Sequence, residues 1–215
     1  YANIELRPMG IIIHFANRLD RYSWIIPYYR LVSYSNLAFS IHSNGNFIKF
    51  NKNKNYRNNK KFINKTVLLL KNVGININTL PVLDVRSKGS SAIIGDRAFS
   101  DNAKIVSEIG DICIKEFHNN KIATVIKHIP GHGLAKVDSH KKTPTINKEL
   151  RYLNNHDFLA FKNKNSLFAM TAHLIYKKID KANTATHSKK IIKLIRNQIR
   201  FRNILMSDDI SMKSL

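Results

Sequence analysis

A chain of 215 residues with 43% hydrophobic side chains has enough apolar material for one sizeable core. Its single cysteine, Cys113, excludes an internal disulfide and suits a reducing, cytoplasmic setting. The 36 Lys plus Arg against 14 Asp plus Glu give a net charge of +22, but no RNA-recognition, helix-turn-helix or zinc-finger spacing accompanies it, so specific nucleic-acid recognition is not implied. No run approaches the ~18–20 apolar residues of a membrane span. The lysines are spread along the chain except over residues 51–61, and they rise together with asparagine and isoleucine. Drift in composition explains that pattern as well as a polyanionic partner does.

The chain then alternates. Residues 10–15 (Gly-Ile-Ile-Ile-His-Phe) form a short apolar run with strand character. Residues 37–41 form another, ending in the turn signal His42-Ser43-Asn44-Gly45-Asn46. Residues 51–61 are basic and Asn/Lys-rich and are expected to be a solvated loop. A helix is expected over 65–72, with Gly74 just beyond its end. An alternating strand follows over 75–83 and stops at Asp84. Residues 102–118 have Ile105, Ile109, Ile112 and Phe117 near helical spacing. Residues 122–129 are a buried strand. A helix is expected over 148–162, a strand over 166–170, an amphipathic helix over 188–200 and a strand over 203–206.

Strands alternating with helices imply parallel β/α units. His42, Asp84, His128, His173 and Asp208 each fall just after an expected strand. In a (β/α)8 TIM barrel such positions converge on one mouth, where chemistry is placed. An open doubly wound sheet would gather ligands at one switch point, and no Gly-rich phosphate loop follows any strand. The barrel is therefore the expected α/β architecture, as a single domain over residues 1–215.

The densest motif is Lys127-His128-Ile129-Pro130-Gly131-His132-Gly133, followed by Asp138-Ser139-His140. Four further pieces stand in the same order: Leu80-Pro81-Val82-Leu83-Asp84-Val85, Ile94-Gly95-Asp96-Arg97-Ala98-Phe99, Met170-Thr171-Ala172-His173 and Met206-Ser207-Asp208-Asp209-Ile210-Ser211-Met212. Together they resemble the bacterial β-N-acetylhexosaminidases of glycoside hydrolase family 3, of the β-N-acetylglucosaminidase type. The resemblance runs from about residue 75 to the end, with weaker agreement at 10–15.

The resemblance implies a (β/α)8 barrel that removes terminal β-linked N-acetylglucosamine, in peptidoglycan turnover, without cofactor or metal. It makes Asp208 the nucleophile and His140, paired with Asp138, the acid/base. Lys127, His128 and Arg97 then match positions that hold sugar hydroxyls, and Asp84 and His173 are expected to join them as substrate-binding residues. The chemistry is coherent. A retaining glycosidase needs a nucleophile on one face of the sugar and a proton donor beside the leaving oxygen. A histidine starts near pKa ~6.5 and serves as that donor with little tuning, while Asp138 fixes its tautomer.

Taken singly, the same residues have plainer readings. The histidines resemble metal ligands in type, although their spacing fits no zinc pattern. Asp208 suits a helix N-cap, Asp138 and His140 suit a solvated loop, and Arg97 suits a structural ion pair. The sequence also departs from the family. Where the family carries Asp-Gln-Glu-Gly-Gly, His42-Ser43-Asn44-Gly45-Asn46 stands here, without the carboxylate, and Ile129 replaces a phenylalanine. The family's first and eighth strands are expected to fall outside residues 1–215, which implies an incomplete barrel and leaves self-association open. A degraded relative without activity and a polyanion-binding protein are the alternative readings.

Overall fold

The computed structural model describes residues 2–7, 9–17, 20–27, 32–35, 38–44, 46–51, 56–87, 89, 94–137, 139 and 142–215. They divide into two compact units, Tyr1–Asn53 and Lys54–Leu215. The described residues of the first unit lie in β-strands and their connections. Strands β1 (Ala2–Arg7), β2 (Gly10–Asn17) and β3 (Asp20–Pro27) form one antiparallel sheet. Strands β4 (Val32–Ser35), β5 (Ala38–Ser43) and β6 (Asn46–Asn51) form another. Ile11 and Ile13 are buried while Ile12 and His14 are half-buried, the period-two pattern of a one-faced sheet.

This corrects the β/α reading of the first quarter of the chain. Only Arg18 and Leu19 separate β2 from β3. A parallel crossover needs a dozen or more residues, so a link this short forces an antiparallel hairpin. The turn expected at His42–Asn46 is present as the β5–β6 connection, with Asn44 at φ 51°. His42 itself lies within β5, opposite Val32 and Phe47, and not at the end of a parallel strand.

The second unit is α/β. Helix α1 (Tyr56–Asn72) begins inside the basic segment expected to be a loop. Ile63 and Val67 are buried and Leu70 packs on the core. One apolar stripe at i, i+4, i+7 is enough to hold the helix while lysine and asparagine face solvent. Gly74 follows at φ 76° and donates its N–H to the Lys71 carbonyl, closing the helix.

Strands β7 (Ile77–Asn78), β8 (Ala123–Ile129), β10 (Phe168–Thr171) and β12 (Ile204–Met206) form a parallel sheet in the order β12-β10-β8-β7. A smaller parallel pair joins β9 (Thr145–Ile146) to β11 (Ile175–Tyr176). Among the described residues the larger sheet is open and does not close into a barrel. β8 is central, and five of its seven residues are buried, as a strand covered on both faces requires.

Helix α2 (Ala103–Asn119) is capped by the Asn102 side chain, which accepts from the Lys104 and Ile105 N–H groups. Its buried face is Ala103, Val106, Gly110, Cys113, Ile114 and Phe117. Gly110 admits Leu83, whose Cδ2 lies 2.6 Å from where a Cβ would stand. The helix expected over 148–162 is two, α3 (Leu150–Asn155) and α4 (Asp157–Phe161), broken at His156 (φ −121°, ψ −97°). Helix α5 (Lys189–Leu194) starts on Ser188 and widens into a π-type turn, Ile195–Ile199, ending at Arg200 with φ 62°. Among the described residues no helix is long and apolar enough to cross a membrane.

Phe117 is one of the largest fully buried side chains. Phe117→Ala is expected to cost about 3–5 kcal/mol, read as a lower urea midpoint at unchanged m-value. A change below about 1 kcal/mol would show that this face of α2 does not carry the core.

Candidate active site

The site is built where the parallel strands end. Residues 81–85 run beside β8 and are all buried. A bridge joins Val82 to Lys127, and the Leu83 N–H donates to the Lys127 carbonyl at 2.8 Å. The chain then leaves the sheet, and Asp84 points its fully buried carboxylate at the end of β8. Between β8 and β10 the register runs Met170↔Lys127 and then Thr171↔Ile129. His128 is therefore the extra residue of a bulge, which re-aims a side chain at a strand end.

Asp84 gathers three donors. Its Oδ1 accepts the N–H of His128 at 3.2 Å and of His132 at 2.7 Å. Its Oδ2 lies 2.6 Å from His128 Nδ1, which donates to it. Burial alone would raise the Asp84 pKa, but His128's charge and hydrogen bond, with help from His132, outweigh burial and lower it. The opposite nitrogen, His128 Nε2, faces Asp208 Oδ2 at 3.7 Å. Asp208 follows β12 and is partly exposed, and its Oδ1 accepts the Asp209 N–H at 2.9 Å.

Lys127 precedes His128 and is half-buried. Burial and the neighbouring Arg97 push its pKa down, while Asp208 and Asp84 push it back up. Arg97, at the end of the short helical turn Gly95–Arg97, thus shares the field of Lys127 and the two carboxylates. His173 is almost fully buried after β10. Its Nε2 donates to the Asp209 carbonyl at 3.1 Å and its Nδ1 accepts from the Thr186 hydroxyl at 2.8 Å. It lies beneath the turn that carries Asp208, whereas Asp209 caps that turn by accepting the Ser211 N–H and hydroxyl.

Of the residues the sequence singled out, Asp84, Arg97, Lys127, His128, His173 and Asp208 are brought to this end of the sheet. Asp138 and His140 lie outside the described residues; Ser139, between them, is buried. Among the described residues no group of three or more His, Cys, Asp or Glu side chains is arranged to hold a metal.

Sequence reasoning missed the support under the loop. The Tyr176 hydroxyl donates to the Gly131 carbonyl at 2.5 Å. Asp157 is fully buried against Gly131, with its Oδ2 2.9 Å from His156 Nδ1. Gly131 has φ 144°, and a Cβ there would stand 2.5 Å from Asp157 Cβ. A Cβ on Gly133 would meet the Val85 carbonyl oxygen at 1.8 Å. Both positions therefore require glycine. The available signal was an aspartate opening the apolar run Phe158-Leu159-Ala160-Phe161, where a charge has no place without a partner.

The profile of the Glycosyl hydrolase family 3 N terminal domain matches residues 48–215. The chain belongs to that family. His42 falls before the matched region. Beta-hexosaminidase A of Pseudoalteromonas piscicida is 30% identical over 162 residues, covering 68% of this chain and 27% of that protein. Beta-hexosaminidase of Idiomarina loihiensis is 34% identical over 143 residues, covering 66% of this chain and 43% of that protein. The chain thus spans less than half the length of these relatives. Among solved structures, a glycoside hydrolase family 3 beta-N-acetylglucosaminidase from Paenibacillus sp. superposes with a TM-score of 0.70 at 25% identity, over 74% of this chain and 31% of that one. NagZ from Neisseria gonorrhoeae superposes with a TM-score of 0.66 at 28% identity, over 72% of this chain and 46% of that one.

His132 gives the site a pH signature. Burial pulls its pKa from 6.5 down to about 4, against the pull of Asp84. The unfolded chain takes up this proton near pH 6.5 and the folded chain only near 4, so stability falls as pH drops through that window. The stability advantage of wild type over His132→Asn is expected to shrink by about 2 kcal/mol between pH 7 and pH 5. Denaturant titrations at the two pH values check this; a constant difference would refute it.

Proposed function

We propose that the protein is a retaining glycoside hydrolase that removes terminal β-linked N-acetylglucosamine, acting on peptidoglycan-derived fragments in the cytoplasm. One observation carries the reading. In a chain of this family, the Asp208 carboxylate stands 3.7 Å from the Nε2 of a histidine whose other nitrogen is held by a buried aspartate. The names of the relatives, beta-hexosaminidase and beta-N-acetylglucosaminidase, support the substrate class. The four parallel strands are read as part of a (β/α)8 barrel, whose mouth lies at their C-terminal ends.

In this mechanism Asp208 attacks the anomeric carbon as the bond to the leaving oxygen breaks, and a glycosyl-enzyme ester forms. His140, oriented by Asp138, gives its ring proton to the departing oxygen. It then takes a proton from water as that water attacks the same carbon and frees Asp208. Lys127, His128 and Arg97 hold the sugar hydroxyls. Asp84 fixes the ring of His128, and His173 fixes the backbone behind Asp208. Both therefore position other groups and do not themselves touch substrate.

The test is hydrolysis of 4-nitrophenyl N-acetyl-β-glucosaminide by the full-length protein. Asp208→Ala is expected to abolish turnover, and His140→Ala to lower it by ~10²–10⁴-fold. Equal rates for wild type and Asp208→Ala would overturn the assignment.

A further inference from the structure

The second unit contains a groove of about 400 Å³ between α3, α4 and the π-type turn. That volume falls within the range of ligand pockets, roughly 300–1,000 Å³. Four carboxamides, Asn154, Asn155, Asn197 and Gln198, line it together with Lys162 and Arg200, and no carboxylate stands among its lining residues. Among the described residues none of these carboxamides has a side-chain hydrogen-bond partner, and neither cation has an ion pair. The buried Phe158 and Ile199 add an apolar floor.

A cation in the last turn of a helix ordinarily serves the terminal carbonyls. Here Arg196 already does so, since its Nη1 donates to the carbonyls of Phe201 at 3.0 Å and Asn203 at 2.6 Å. The Ile199 carbonyl is taken by the Asn163 N–H at 2.9 Å. Lys162 precedes the donor of that bond and Arg200 follows its acceptor, so the two cations flank it from either side. Arg200 has φ 62°, at a position where glycine is usual. The wide turn before it is a form found frequently at functional sites. Both cations stand on the links that lead into β10 and β12, where those strands begin, whereas His128 and Asp208 stand where strands end. A partner held by them therefore leaves the catalytic end of the sheet open.

We propose that this groove docks an acidic peptide segment of a partner protein. A carboxamide offers donors and an acceptor, the same pairing that a peptide group presents, so the four match an extended backbone. Lys162 and Arg200 take carboxylates on either side, and the floor of Phe158 and Ile199 takes an apolar side chain between them. The net charge of +22 favours an acidic partner and repels a basic one. Two other occupants fit less well. A phosphate backbone offers acceptors alone and leaves the amide carbonyls without a donor, and no exposed aromatic ring lines the groove to stack a base. A neutral glycan leaves both cations unpaired. The docking surface is independent of the hydrolysis proposed above.

The probe is a fluorescein-labelled peptide, Glu-Ser-Leu-Ser-Glu, whose glutamates and leucine face one side of an extended chain. Anisotropy follows its binding to the full chain. Lys162→Gln/Arg200→Gly is expected to weaken binding at least ~tenfold, the scale of charged hydrogen bonds. Its urea midpoint should not fall, because glycine suits the backbone that Arg200 adopts. Asn197→Ala/Gln198→Ala should weaken binding several-fold. Lys189→Gln/Lys193→Gln removes the same charge from exposed positions of α5 outside the groove and should stay within about twofold. The loss should narrow at high salt. No binding of the acidic peptide, or an equal loss in the two charge variants, would overturn the proposal. So would groove-dependent binding that an oligothymidylate or a chitin oligosaccharide shows and the peptide does not.

Discussion

A carboxylate removed from water is costly unless hydrogen bonds replace its hydration, and Asp84 shows how the cost is met. It is fully buried, and three donors converge on it from the end of β8 and the loop beyond. Hydrogen bonds to a charged group contribute roughly 1.5–3 kcal/mol each, enough together to keep the group ionised. The consequence is geometric. The His128 and His132 backbones cannot move apart without stranding an N–H or a carboxylate oxygen, so the loop takes one shape. Asp157 is the instructive contrast. It is equally buried, but His156 is the one side chain that hydrogen-bonds it among the described residues, and its Oδ1 has no hydrogen-bond partner there. Burial therefore wins, and its pKa rises where that of Asp84 falls. The two buried aspartates shift in opposite directions because the charge and hydrogen bonds of His128 and His132 outweigh burial at Asp84, whereas those of His156 do not at Asp157, which also feels the Asp84 charge.

Strand order turns this local constraint into a site. Asp84, His128, His173 and Asp208 are far apart in sequence, yet they follow or end neighbouring strands of one parallel sheet. Parallel strands deliver all their following loops to the same end. The sheet thus needs only short strands, provided that each terminal turn is locked. Asp84 locks the β8 end, Tyr176 locks Gly131, and His173 with Thr186 locks the turn behind Asp208. The groups available for chemistry are those that remain after this locking: the His128 face toward Asp208, Lys127, Arg97 and the Asp208 carboxylate.

The sequence announced the second unit far better than the first. Residues 122–129 were legible because a strand buried on both faces needs an almost unbroken apolar run. Helix α2 was legible because Ile105, Ile109, Ile112 and Phe117 recur near helical spacing, although of these four only Phe117 is fully buried and Ile105 is exposed. Residues 10–15 also had a correct strand signal, but strand character says nothing of pairing direction; only the two-residue link to β3 determines that. The basic segment before residue 62 misled for a different reason. Lysine and asparagine hide a helix whose stability comes from the single stripe of Ile63, Val67 and Leu70. The support from Asp157 and Tyr176 was only half legible: an aspartate opening an apolar run says that a partner exists and not which one, and only the fold brings both residues under Gly131.

The charge excess has a local meaning at the site that the total of +22 does not convey. Lys164 has its ammonium on Asp111 and Ser107, and Lys178 pairs with Glu149; those cations are neutralised in place. Lys127 is not. Burial and Arg97 both disfavour its proton, and only Asp208 and Asp84 favour it. The Lys127 ammonium and the Asp208 carboxylate are therefore coupled electrostatically: removing Asp208 would take away one of the two groups that favour the Lys127 proton.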